Sequence, residues 1–495
     1  MHECAAQRRV VSSNMSHTAS IPTRTFGFYL DGDWKTHGRE VVITSPYDHS
    51  VVAVVFEATR DDVETAIQSA VRAFSVTRKL TSYQRASILR KIAEGIRHRR
   101  EEFARTICQE ACKPIKTARI EVDRGIYTFE IAAEESSRIY GECIPLDTLE
   151  STAGRWGVVR RFPLGPVFAI TPFNFPINLV AHKVAPAIAA GCPLILKPAP
   201  QAPVTALMLA ELVHDAGWPE GALAVMPLSN DDAALLVADD RIKLLTFTGS
   251  APVGWALKNK AGKKRVRLEL GGNAAVIVHK DADLAYAAQR CVVGGFSYAG
   301  QTCISVQRIL VEHTVFDAFI KLLLEGVHKL KLGDPMDEDT DVPPLIREQD
   351  AIRATQWIEE ATQAGAKLLC GGKRKGSFVE PAVLTGTTPE MRVNCAEMFA
   401  PVVTVEPYDN FSDAVRQVNL SAFGLQAGVI TRDALLIQQA FDELEVGGVI
   451  IGDVPSFRVD QMPYGGIKDS GLGREGLRYS IEDMTERKLL VMALR

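Results

Sequence analysis

What most limits the fold of this chain is a rhythm of short apolar strands and amphipathic helices that recurs twice. After "GRWGVVRRFPLGPVFAITPFNFP", the strand-like segments "GCPLILKPA", "GALAVMPL", "IKLLTFTGS", "VRLELGG" and "AAVIV" are interleaved with the helix-period segments "PVTALMLAELVHDAG", "DDAALLVADD" and "PVGWALKNKAG". Strands alternating with helices need crossover connections, and these give a parallel sheet covered on both faces. A second run spans about 281–452, with helices expected at 281–298, 314–330 and 347–364 and strands at "QRILVEH", "APVVTVEPY" and "VGGVIIG". The expected fold class is therefore α/β, in two halves. Ahead of them "FYLDGDWK" reads as a hairpin, and from Asp61 to about Glu142 apolar residues recur at three and four spacing, which is helical.

At 495 residues and 46% hydrophobic, the chain can bury two or three sizeable cores. A formal charge of −4 gives no general attraction to nucleic acid or to an anionic membrane. The basic cluster "KNKAGKKRVR" reads as the solvated end of a helix, and no run of eighteen apolar residues exists to span a bilayer. Nine cysteines without regular spacing do not make a disulfide framework, so a reducing, cytoplasmic compartment is expected. Cys108 and Cys112 lie four apart with no histidine nearby to complete a metal site, and no metal is expected. Residues 1–24 lack the apolar stretch of a secretory signal and read as a disordered tail; their arginines and serines leave only a weak targeting reading.

Three segments carry chemistry. "TPFNFP" ends an apolar strand and sets Asn174 between two prolines, "LELGG" puts Glu269 at an apolar strand end before two glycines, and "GQTCIS" supplies Cys303 among small neighbours. Each has a plainer reading alone: a turn former, a salt-bridge partner and a packed thiol. Together, a thiol, a carboxylate and a side-chain amide are what acyl chemistry through a thioester needs. "FTGS", where a strand meets Gly249 and Ser250 opens a helix, is by itself a helix cap that could also hold a pyrophosphate.

From about residue 26 to the C-terminus the chain resembles the aldehyde dehydrogenase superfamily. The resemblance rests on "ITPFNFP", "AIAAGCPLILKPA", "FTGSAPVG", "LELGG", "GQTCIS", "EMFAPVV" and "PYGGIKDSGLGREG", all in family order. It implies a Rossmann-like NAD(P)-binding domain from 25–144 and 164–269, and a catalytic domain from 270–468. Segments 145–163 and 480–495 become oligomerisation strands of a homodimer or homotetramer. It also implies oxidation of an aldehyde to a carboxylate, with Cys303 as nucleophile, Glu269 as base and Asn174 as oxyanion donor. For the cofactor, NAD or NADP, it implies contacts at Thr171, Lys197, Pro200, Gly249, Ser250, Glu397 and Phe399. NAD-preferring members often carry a glutamate where Pro200 stands, so NADP is expected to be accepted.

Carried to the substrate mouth, the resemblance points to Arg124 on one wall and to Ser456, Phe457 and Arg458 on the other. Two arginines favour an aldehyde bearing a carboxylate, phosphate or sulfonate, unless carboxylates such as Glu121, Asp123 or Asp460 already pair them. In motif detail the chain is similar to lactaldehyde and non-phosphorylating glyceraldehyde-3-phosphate dehydrogenases, with succinate semialdehyde as a rival substrate. A coenzyme A-acylating enzyme is disfavoured by Glu269, and a non-catalytic protein by the intact trio. A serine hydrolase is rejected because "GFSYA" puts Ala299 where its motif needs glycine.

Overall fold

A computed structural model describes residues 24–493. Arg24, expected in the tail, instead begins the strand Arg24–Phe26, which pairs with Val51–Glu57; residues 1–23 lie outside the described residues. No described helix is long and apolar enough to cross a membrane.

The first half is built on an eight-stranded sheet. Its order is Gly471–Leu472, Arg265–Glu269, Leu244–Thr248, Val167–Ile170, Leu194–Lys197, Leu223–Val225, Phe28–Leu30 and Asp33–Lys35. The five middle strands are parallel, and the ones at either end run antiparallel. Order reverses beside Val167–Ile170, which lies between Leu194–Lys197 and Leu244–Thr248. Open α/β sheets bind ligands at such a switch point, outside the strands' carboxyl ends. A seven-stranded sheet forms the second half, parallel but for the antiparallel edge strand Lys367–Cys370. Sheets of this kind are apolar on both faces, as the fully buried Ala274–Val278 strand shows.

Gly471–Leu472 belongs to a late segment, yet it pairs with Arg265–Glu269 of the first sheet. The chain therefore returns across the interface and carries residues 453–475 to the junction of the halves. Arg155–Pro163 is the middle strand of a separate antiparallel sheet, flanked by Glu142–Pro145 and Thr485–Ala493.

The helical region from Asp61 contains four helices. "SYQRASILRKIAEGIRHRREEFARTICQEA", which reads as one periodic stretch, breaks at Arg99 into Ser82–His98 and Arg100–Ala111. The bend leaves Arg99 with bonds on both sides, donating to Gly95 and accepting from Phe103, so the apolar spacing continues across it. Cys112, in the left-handed region at φ 52°, ends the third helix, and Pro114 opens Ile115–Glu135.

That fourth helix positions the site. Glu121 is buried on it and accepts hydrogen bonds from the backbone of Ile177 at 3.0 Å and Asn178 at 3.2 Å, where the helix Asn178–Ala190 begins. Its other oxygen pairs with buried Lys113, whose ammonium also lies 3.5 Å from the Phe175 ring centroid. Glu121→Ala removes the acceptor of both backbone N–H groups and the anion of Lys113, leaving that buried cation beside the Phe175 and Tyr298 rings. It is expected to cost about 3 kcal/mol, read as a lower urea midpoint.

Candidate active site

Where the two halves meet, a cavity of about 600 Å³ opens, lined by Asn174, Glu269, Cys303, Glu397, Phe399, Arg124, Ser456 and Arg458, among others. That volume suits a small substrate together with part of a cofactor.

The thiol sits on a strained loop. Tyr298, Ala299 and Gly300 are all left-handed, with φ of 52°, 53° and 71°. Non-glycine residues there cost energy and need support. The Tyr298 hydroxyl supplies it by donating to the Ala111 carbonyl at 2.6 Å. A side chain on Gly300 would meet the Ala400 carbonyl oxygen at 2.3 Å, and one on Gly272 would meet the Cys303 carbonyl oxygen at 2.1 Å. The lean sequence around Cys303 thus reflects backbone pressed on both sides by backbone.

Asn174 donates one N–H to the Gln301 carbonyl at 2.9 Å, which holds its amide against the thiol loop. Its second N–H and the backbone N–H of Cys303 have no hydrogen-bond acceptor among the described residues. Two unclaimed donors beside a thiol can hold a developing oxyanion.

Glu269, at the end of its strand, is buried and neither carboxyl oxygen has a partner. Burial, then the charge of Glu475, pushes its pKa up to about 8, against the pull of Lys183, Arg267 and Arg458. Glu475 is equally buried but joins Lys183 and accepts from Arg458 at 3.1 Å; the cations hold it well below the usual carboxylate range. Two neighbouring carboxyls are thereby driven apart, one charged and one protonated near neutrality.

Arg124 pairs with Asp460 at 2.7 Å while keeping a place on the cavity wall. Asp460 also accepts from Asn178 at 3.1 Å and bonds His182 at 2.9 Å; His182 is held below its usual pKa by burial and Arg458. Arg267 has its own partner in Asp483. Arg124, Arg458 and Lys183 therefore face Asp460 and Glu475, three cations against two anions while Glu269 is protonated. Within that cluster one positive charge is in surplus.

The aldehyde dehydrogenase family pattern matches residues 34–490. The chain belongs to that family. It is similar to a 3-sulfolactaldehyde dehydrogenase of Priestia aryabhattai, 43% identical over 96% of this chain and 100% of that one. Among solved structures it is similar to aldehyde dehydrogenase 21 of Physcomitrella patens in complex with the reaction product succinate. That match has TM-score 0.94 and 45% identity, covering 96% of this chain and 99% of the other. It is also similar to glyceraldehyde-3-phosphate dehydrogenase GapN of Methanocaldococcus jannaschii complexed with NADP, with TM-score 0.89 and 37% identity over 92% of this chain and 100% of that one. As an aldehyde dehydrogenase, the chain oxidises an aldehyde to the acid with NAD or NADP.

The residues present fit such a dinucleotide. Ser250 stands at the N-cap of Ala251–Lys260 yet makes no side-chain capping bond, which leaves the N–H groups of Ala251 and Val253 open on either side of Pro252. Gly249 packs its backbone on Phe247, where a Cβ would lie 2.5 Å from the ring. Lys197 is buried with its ammonium in no hydrogen bond or ion pair among the described residues. Glu397 accepts from Gly272 at 3.0 Å, and burial pushes its pKa up to about 7. Thr171, Lys197, Gly249 and Glu269 all stand at or just after the carboxyl ends of adjacent strands.

Not every expected residue reaches the cavity. Thr171, Lys197 and Pro200 lie off its wall, and Phe457 is exposed outside it. Tyr464, Lys183 and Glu475 were missed as site residues. "PYGG" and "GREG" were visible as motifs, but no local pattern says that Tyr464 reaches a thiol 161 positions away. Gly272→Ala is expected to leave the circular dichroism spectrum unchanged and cut turnover at least about 10²-fold, because it displaces the thiol backbone.

Proposed function

We propose that this enzyme oxidises a small anionic aldehyde through covalent chemistry at Cys303. The observation that carries the reading is one cavity holding the thiol, the unpartnered Glu269 carboxyl, the spare Asn174 N–H and, among its arginines, Arg124 and Arg458.

The Cys303 thiolate attacks the carbonyl carbon, and the new oxyanion is held by the Asn174 amide and the Cys303 backbone N–H. NAD(P)⁺, when bound, supplies the hydride acceptor. The thioester then left on Cys303 needs water. Glu269, poised near 8, takes a proton from that water; its oxygen bonds the acyl carbon and the sulfur leaves as thiolate. Lys197, Gly249, Ser250, Glu397 and Phe399 are the residues of this chain that would hold the cofactor, with Thr171 beside Lys197. Pro200 is exposed and uncharged beyond the strand end near Lys197, so its side chain adds no charge to repel a 2′-phosphate, and NADP is accepted. By this reading the first sheet forms the cofactor domain and the second the catalytic domain.

The surplus cation of the Arg124–Asp460–Arg458–Glu475–Lys183 cluster selects the anion. Arg124 and Arg458 each spend part of their guanidinium on a carboxylate and retain donors for a ligand; Ser456 adds a hydroxyl. The names of the similar proteins support this, since a sulfonate and a dicarboxylate product both carry such a charge. The outer strand Thr485–Ala493 exposes Leu489, Leu490 and Val491 along a sheet edge. An apolar edge of that kind needs a cover, and a second copy of the chain supplies it in a homodimer or homotetramer.

A panel of sulfonated, carboxylated, phosphorylated and neutral aldehydes of matched length, run with both cofactors, tests the substrate class. Anionic members should exceed the neutral one in kcat/KM by about 10- to 100-fold. Arg124→Met should erase most of that margin. Equal turnover of the neutral aldehyde would sink the anionic assignment.

The base is tested by pH. Because only deprotonated Glu269 can activate water, deacylation should rise with pH through about 8 and level off above it. Glu269→Gln should lose that rise and show a burst of reduced cofactor followed by turnover slowed about 10²-fold or more.

A further inference from the structure

One more side chain touches the reacting sulfur. Tyr464 closes the cavity behind Cys303, its buried ring grouped with Ile304 and Leu425 and its hydroxyl oxygen 2.9 Å from the Cys303 sulfur. Across the ring face lies the Arg458 guanidinium, 3.7 Å from the centroid. Glu475 accepts from Arg458, and Lys183 holds Glu475, so the cation over the ring is locked from behind.

We infer that Tyr464 is a catalytic residue: its hydroxyl donates a hydrogen bond to the Cys303 sulfur as the thiolate forms, and Arg458 stacked on its ring strengthens that donor. This rests on the reading of Cys303 as the nucleophile.

The direction of the bond follows from proton inventory. A thiolate has no hydrogen, so the phenol must be the donor on the line between the two atoms. The phenol stays protonated throughout, because burial and the neighbouring sulfur raise its pKa well above the ordinary range. The other donors near the thiol have different targets: Asn174 and the Cys303 backbone face the carbonyl oxygen. The groups facing the sulfur divide. Burial dominates and, with Glu397 and Glu269, raises the thiol to about 11, while Tyr464 and Arg458 lower it. Catalytic thiols commonly lean on an adjacent histidine or lysine. Here the stabilising charge arrives through an aromatic ring, and the part of the arginine's edge not bonded to Glu475 is left for a substrate anion.

The size of the effect can be bounded. A hydrogen bond to a charged acceptor shifts a pKa by about one unit. One unit gives about tenfold more thiolate, but a less basic thiolate is about threefold less nucleophilic. The net gain is about threefold in rate at a pH below the thiol's pKa.

The experiment is the pH profile of iodoacetamide alkylation of the full-length, cofactor-free enzyme. The Cys303 peptide is followed by mass spectrometry, because eight of the nine cysteines lie elsewhere. Tyr464→Phe, which preserves shape, should move the alkylation midpoint up by about one pH unit and slow modification about threefold at pH 7.5. Arg458→Met should shift it in the same direction. The acylation burst with aldehyde should slow by the same factor in Tyr464→Phe. A profile for Tyr464→Phe superimposable on the wild type would overturn the inference, leaving the tyrosine as mere wall. Aldehyde oxidation surviving in Cys303→Ala would instead remove the nucleophile assignment beneath it.

Discussion

The buried Glu475 carboxylate, clasped between Lys183 and Arg458, is the contact on which the rest of the site depends. Lys183 comes from the helix Asn178–Ala190 of the first half, and Glu475 and Arg458 come from the returning C-terminal segment. An ion that deep is stable only when its partners are in place. The charge network therefore ties the late chain to the early helix, and Arg458 cannot swing freely. From that one constraint follow the stacking on Tyr464, the contact to Cys303 and the repulsion that adds to burial in raising the Glu269 pKa.

Opposite treatment of similar groups runs through the site. Glu269 and Glu475 are both buried carboxyls, yet one is left without a hydrogen-bond partner and the other is given two cations. Withholding partners costs stability, but it places a carboxyl that can exchange its proton near neutral pH. The same logic applies to Asn174, whose amide spends one N–H on Gln301 and keeps the other. Strain in the Tyr298–Gly300 turn lies in the same loop, whose backbone is pressed against Ala400 at Gly300 and against Gly272 at Cys303.

Much of this was legible in the residue order. The alternating segments led to two parallel sheets, and "FYLDGDWK" to a hairpin, because strand, helix and turn preferences are local. Cys303, Glu269 and Asn174 stood out because each sits in a short, distinctive segment, and the fold brings all three to one cavity. The break at Arg99 was not legible, since apolar spacing carries through the bend. Nor was the first strand at Arg24, whose three residues pair with a distant partner and have little pattern of their own. Arg124 could be read as a substrate ligand or as a partner of Asp460; in the structure it pairs with Asp460 and still lines the cavity.

By itself the sequence determined the α/β class and the family motifs, and it singled out the candidate reactive groups, because these are written in contiguous residues whose chemistry needs no distant neighbour. Only the tertiary structure decided which carboxyl is charged, which arginine stacks on which ring and which hydroxyl meets the thiol. Those depend on burial and on distances between residues far apart in the chain, and neither exists until the two halves close on each other.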